Sequence, residues 1–180
     1  MNYRLLPAAL LLAMTLGAAA DVVVIGPDVL NVSFESGTIS PWGDGTAVSN
    51  SAFAAAGDWY AQANPDTGRA GIWQFFPAVS TAMPNFVLTF QIRDGVPPYP
   101  EVGCALGGRR TNNTFVYAPQ IQLSAPPPNA EGWTTHRYLF TFAETWDESR
   151  AMQLTIDWDN GATNSVAYLD DVRLVEMADP

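Results

Sequence analysis

Apolar and polar residues alternate along most of this chain. Phe86, Leu88, Phe90 and Ile92 are interleaved with Val87, Thr89, Gln91 and Arg93; Tyr138, Phe140 and Phe142 with Leu139 and Thr141; Met152, Leu154, Ile156 and Trp158 with Gln153, Thr155 and Asp157. Successive side chains of a strand point to opposite faces, so each stretch predicts a strand with one face in a core. The same pattern predicts further strands near 21–25, 46–53, 58–63, 71–76, 101–107, 114–123 and 166–176. No segment of 21–180 repeats its apolar residues at helical spacing. Proline- and glycine-rich stretches such as "RDGVPPYPE" and "SAPPPNAEG" separate the strands. They read as turns and not as interdomain linkers, because strands of the same kind resume on each side. Many short strands with turn signals between them predict an all-β chain, a two-sheet antiparallel β-sandwich formed by one domain. Periodicity alone leaves jelly-roll and immunoglobulin-like topologies both open.

The first 20 residues follow another pattern. Arg4, an apolar run from Leu5 to Ala20, and small residues at Ala18 and Ala20 before Asp21 predict a secretory signal peptide. The run contains Pro7 and is short for a membrane span, and no second run of spanning length follows. The expected product is therefore residues 21–180, exported and extracellular, and long enough to bury a core without staples. Cys104 is the single cysteine, so no disulfide can form within the chain. It alternates with Val102 and Leu106, as a buried small hydrophobe would.

Charge narrows the partners. The chain has no lysine; without Arg4, seven arginines face 18 carboxylates, a formal charge of −11. That balance argues against nucleic acid and against anionic membrane surfaces, both of which require a basic face, and suits neutral or cationic partners. The chain is expected to act as a monomer. Two sequons, at Asn31 and Asn112, are candidate glycosylation sites. Catalytic signatures are missing. His136 is the single histidine, which excludes a His-rich zinc site, and its parity with Tyr138 and Phe140 puts it partly in the core. Asp157 and Asp159 share a strand face, and Glu144, Asp147 and Glu148 cluster in one loop, but neither group stands in a recognisable glycosidase motif. No catalytic residue is assigned.

One late segment, "YLDDVRL" (168–174), breaks its own alternation at two adjacent aspartates. It belongs to an ordered set with "NVSFESGTISPWG" (31–43), "GDWYAQAN" (57–64), "IWQFFP" (72–77), "FVLTFQIR" (86–93) and "W..HRYLFTF" (133–142). Together these resemble a carbohydrate-binding module of the cellulose- and xylan-binding jelly-roll kind, families four and nine and their relatives, over nearly all of 21–180. "GCALGG" (103–108) is similar to secreted fungal members, which generally carry further cysteines. The resemblance implies a galactose-binding-domain-like jelly roll with its first and last segments adjacent. It also implies a structural calcium between the early "FE" and the late aspartate pair. Calcium takes six to eight oxygens, and Glu35 and Asp171 are the expected side-chain ligands, with carbonyls of the first strand and around Asn50 as others. A bulge at Asp170 and Asp171 would turn one carboxylate to the ion. The alternative is that both aspartates are solvated at a sheet edge.

Sugars present apolar faces and hydroxyl edges, so their sites combine exposed aromatics with planar polar groups. Trp73, Gln74, Gln91, Arg93 and Tyr99 are the expected lining, with Trp59, Tyr60, Tyr117 and Trp146 as further candidates. Trp42, Trp133 and Trp158 are assigned to the core. The expected function is exported, non-catalytic recognition of a neutral polysaccharide. The alternatives are a structural or adhesive surface protein that keeps the fold without sugar binding, and a small glycoside hydrolase.

Overall fold

The computed structural model describes residues 22–26, 33–43, 45–49, 54–63, 69–81, 85–94, 101–124, 127–159 and 167–177. The signal sequence, Asn31, Asn50 and Tyr99 lie outside the described residues. All regular structure within them is β: β1 (Val22–Ile25), β2 (Gly45–Ser49), β3 (Trp59–Ala63), β4 (Arg69–Phe76), β5 (Asn85–Asp94), β6 (Glu101–Arg109), β7 (Phe115–Tyr117), β8 (Gln120–Ser124), β9 (Trp133–Thr141), β10 (Met152–Asp159) and β11 (Ala167–Glu176).

These strands form two antiparallel sheets of a sandwich. One runs β2-β3-β11-β5-β9-β8, with β1 also paired to β11, so the first and last strands are neighbours; the other runs β4-β10-β6-β7. The long alternations supply the facing layers. Phe86, Leu88, Phe90 and Ile92 of β5 meet Ile72 and Phe76 of β4, Cys104 and Leu106 of β6, and Leu154 and Ile156 of β10 in one core. Burying a large apolar side chain contributes about 1.5–3 kcal/mol, so a core of this extent holds the fold without a disulfide. Trp42 plugs its edge against Phe34, as expected, with ring centroids 6.2 Å apart. His136 faces inward and stacks on Phe90 at 5.4 Å, where burial lowers its pKa. Cys104 is buried, its Sγ donating to Gln120 Oε1 at 2.9 Å, and burial raises its pKa.

The structure departs from the expectations in three places. The single strand expected over 114–123 is two strands in different sheets. Ala118 N–H still donates to Leu106 O at 3.0 Å, but Pro119 has no N–H for a ladder, and the chain crosses there to pair Gln120 with Phe140. Trp133, expected in the inter-sheet core, pairs with Arg93 on the opposite face of its sheet. It is still only 2% exposed, with Tyr60 packed edge-on at 6.4 Å and Tyr168 against Tyr60 at 5.0 Å. Trp146, a sugar candidate, is buried against Phe86 and Phe142.

Candidate functional site

The four-stranded sheet has an outer face built from three kinds of residue. Register sets them in rows. Phe75, Gln153, Gly107 and Tyr117 lie side by side across β4, β10, β6 and β7; next come Trp73, Thr155 and Ala105, then Gly71, Asp157 and Gly103. Aromatic residues stand on the two outer strands and small residues make the floor of β6, with Gln153, Thr155 and Asp157 running down the middle. Three strand spacings separate the walls, about 14 Å between backbones. The result is a shallow trough with apolar walls and a polar midline.

Each wall is held in place from below. Tyr117 is 57% exposed, yet its ring lies over Gly107: a Cβ there would sit 2.8 Å from Tyr117 Cε1. Opposite, Phe75 is 40% exposed and meets Trp73 edge-on at 5.4 Å. The Trp73 indole in turn covers Gly43, where a Cβ would come within 2.5 Å of Cε2. Backbone bonds between Gly43 and Trp73 lock that contact. At one end the Arg109 guanidinium lies 4.5 Å from the Phe115 centroid and 5.7 Å from that of Phe75, joining both walls by cation–π contact. Further along, Asp157 occupies space left by two glycines; a Cβ on Gly103 would be 2.6 Å from its Oδ1. Replacing Gly107 by alanine is therefore expected to lift the Tyr117 ring off the floor. Because that ring is exposed, the melting temperature should hardly move, while any ligand stacked on the ring should be lost; thermal melts and a binding assay on the same sample separate the two effects.

The expected lining residues are dispersed by the fold. Trp73 is in the trough. Gln74, expected on a polar face, is fully buried, because Ile72 and Phe76 commit its parity to the core, and neither amide atom has a partner among the described residues. Gln91 and Arg93 do lie on an outer face, that of the seven-stranded sheet, on the far side of the sandwich from Trp73. Phe75, Gln153 and Thr155 are not among the expected lining. A signal for them exists in "GCALGG": Gly103, Ala105 and Gly107 alternate with Cys104 and Leu106, so one face of that strand is stripped of side chains, as a surface that something lies upon would be.

The acidic side chains of the loop from Glu144 to Glu148 are tied down. Near a cavity of about 470 Å³ lined by Arg110, Thr111 and Glu144 to Asp147, Arg110 pairs with Glu144 and Arg150 with Asp147. Hydrogen bonds from Ser149 hold Asp147 below the usual carboxylate range, and those from Thr81 do the same for Glu148.

The bulge expected in the last strand is present. The register of β11 on β5 slips between Asp170, opposite Gln91, and Arg173, opposite Thr89, and Asp171 takes a left-handed φ of 48°. The carboxylate it buries is Asp170, not the expected Asp171. Asp170 Oδ2 accepts from Ala55 and Ala56 N–H at 2.9 and 3.0 Å, and Oδ1 from Asp171 N–H at 2.8 Å. Asp171 lies half-buried with Oδ2 3.4 Å from Gln91 Nε2. Glu35 reaches the same loop, accepting from Asp58 N–H at 3.1 Å and Trp59 N–H at 2.9 Å. Two carboxylates from distant segments thus close on residues 54–59. Among the described residues no three acidic, histidine or cysteine groups cluster as a metal site, so a cation here would need backbone carbonyls to complete its shell.

No family model matches the chain, and no curated protein sequence does. Solved structures do. The CBM22-1 xylan-binding domain of Paenibacillus barcinonensis Xyn10C superposes with a TM-score of 0.62 at 14% identity, over 90% of this chain and 99% of that one. The CBM22-1–GH10 modules of Clostridium thermocellum Xyn10B, complexed with xylohexaose, match with a TM-score of 0.62 at 11% identity, over 89% of this chain and 30% of that one. A cyclase from Fischerella sp. TAU matches with a TM-score of 0.61 at 16% identity, over 89% and 100%. The modules are of family 22, where the sequence resemblance named families four and nine. At these identities the likeness is one of fold: this chain has the antiparallel β-sandwich found in xylan-binding modules and in a cyclase alike.

Proposed function

We propose that this chain is a carbohydrate-binding domain that takes a neutral polysaccharide along the outer face of its four-stranded sheet. The observation that carries the reading is the pair of exposed aromatic walls, Tyr117 over Gly107 and Phe75 beside Trp73, with Gln153 and Thr155 between them. Pyranose rings stack by their C–H faces on such walls, and amide and hydroxyl groups in the middle meet their hydroxyl edges. The xylan-binding modules that share the fold support xylan as the first ligand to try. Affinity gels and pull-downs with cellulose, xylan, β-glucans, mannan and chitin test the reading. Selective retention that Tyr117→Ala removes supports it; a folded protein that no polysaccharide retains overturns it in favour of a structural or adhesive role.

A second reading has its own observation. The cyclase shares the fold over its whole length, and Asp157 stands in the trough between Gly71 and Gly103. An enzyme built on this face would use Asp157 as its acid or base, and turnover lost in Asp157→Asn would establish it.

On the first reading the domain is exported by its N-terminal signal sequence, works outside the cell as a monomer, and carries Asn112 in an exposed turn open to glycosylation, with Asn31 as the other acceptor. Glu35 and Asp170 would hold a calcium ion, with backbone carbonyls completing its shell, and the ion would tie the early and late segments to residues 54–59. An ion bound only by the native state stabilises it by mass action, about 2.7 kcal/mol at a hundredfold excess over Kd. Chelation should then lower the melting temperature by roughly 5–10 °C, and Glu35→Gln should abolish the difference. An unchanged melt in chelator rejects the ion.

A further inference from the structure

The outer face of the seven-stranded sheet carries two cross-strand rows that take no part in the trough of the opposite sheet. Ile121, Leu139, Val87, Val175 and Val23 are consecutive partners across five strands, β8-β9-β5-β11-β1, and form an apolar row. Beside it, Ser124, Arg137, Thr89 and Arg173 form a second row, in which Thr89 pairs with Arg137 on one side and Arg173 on the other. Between the rows lies a groove of about 400 Å³ lined by Val87, Thr89, Arg137, Arg173, Val175 and Met177.

The charge of this groove runs against that of the chain. There are 18 carboxylates and eight arginines. Arg110 and Arg150 are matched with Glu144 and Asp147, but among the described residues neither Arg137 nor Arg173 forms an ion pair. Asp171, the nearby acid of β11, is engaged by Gln91. Two strand spacings put the arginine backbones about 10 Å apart, so both guanidinium groups can swing over the Thr89 hydroxyl to one point. A guanidinium matches a carboxylate in shape, two parallel N–H donors to two oxygens, and a pair of them with no carboxylate between them among the described residues suits an anion from outside.

We propose that this groove is a second ligand site, for the carboxylate of a uronate-bearing polysaccharide, with Arg137 and Arg173 on the carboxylate, Thr89 and Ser124 on ring hydroxyls, and the Val87–Val175 row under a C–H face. It rests on the glycan-binding reading for the class of ligand and on the opposite sheet for the site, so the two can fail separately. The test is titration of the full chain, at low and at physiological salt, with a tetragalacturonate and with its carboxyl-reduced counterpart. The uronate is expected to bind, to weaken about tenfold on either Arg137→Gln or Arg173→Gln, and to weaken with salt; the reduced oligomer is not. Tyr117→Ala should leave uronate binding intact, and the double arginine variant should keep whatever neutral polysaccharide the four-stranded sheet retains. Equal binding of the reduced oligomer, or indifference to both arginine substitutions in variants with unaltered melts, overturns the site. Polyglutamate binding as tightly as the uronate would replace the sugar with an acidic peptide, and a sulfated neutral oligomer binding as tightly would replace the carboxylate with sulfate; each overturns the assignment.

Discussion

Replacing Asp170 by alanine is expected to cost about 3 kcal/mol of stability, read as a drop of roughly 6–12 °C in melting temperature. Its carboxylate is fully buried and takes three backbone N–H groups, from Ala55, Ala56 and Asp171. A donor left without its acceptor costs about 1–3 kcal/mol where water cannot replace it. Ala56 is exposed, so water recovers part of the loss on that side of the loop and the sum stays near the low end of the roughly 3–9 kcal/mol that three lost bonds would cost. Asparagine should fall between the two. It keeps an oxygen for Ala55 and Ala56 but turns an NH₂ toward the Asp171 N–H.

The same residue sets a pH dependence. Burial pushes the Asp170 carboxyl up to about 7, more than the three N–H bonds pull it down, and Asp171 adds to the rise. In the unfolded chain it returns to the ordinary aspartate value near 3.9. Between those limits the native state holds a proton that the unfolded state has released, so stability must fall as pH rises from about 4 to about 7, and level off above. Urea denaturation in chelator across that window should show the slope, and Asp170→Asn should flatten it. If calcium is held there as proposed, it would compete with the proton for the same oxygens, so saturating calcium should raise stability most at the alkaline end. A flat profile in chelator for the native sequence would show that the carboxylate is ionised throughout.

Tyr117→Ala should reduce polysaccharide affinity by tenfold or more while leaving the melt within about 0.5 kcal/mol of the parent. The asymmetry follows from position. Tyr117 is 57% exposed and rests on a glycine, so the folded state loses little packing when the ring goes, while a stacked sugar loses its platform. Tyr117→Phe keeps the platform and should keep most of the affinity. Trp73→Ala makes the instructive comparison. Its indole covers Gly43 and braces Phe75, so that variant should lose stability and affinity together. Undiminished retention in Tyr117→Ala would remove the four-stranded face from consideration as the ligand surface.

Much of this molecule is legible in its amino-acid sequence alone, and for one reason: a period of two is written locally. Phe86 to Ile92, Tyr138 to Phe142 and Met152 to Ile156 announce strands with one buried face, and enough of them announce a sandwich. The break in alternation at Asp170 and Asp171 announces a bulge in the same way. Alternation assigns a residue to one of two faces but does not say which sheet a strand joins, nor which parity is inward in a strand of mixed character. Gln74 and Trp133 show the second gap. Only the commitment of Ile72 and Phe76 to the core sends Gln74 inward, and only pairing with Arg93 sends Trp133 out. Trp73 and Gln91 show the first. Their strands β4 and β5 are consecutive in the chain and belong to opposite sheets, because hydrogen-bonded partners come from distant segments, β10 for one and β9 and β11 for the other. A binding face on a sheet is a set of cross-strand rows, and rows exist only once register is set. The local pattern therefore determined that this protein is a sandwich with a bulged last strand; the long-range pairing of its strands decided that Trp73 shares a surface with Tyr117 and not with Arg93.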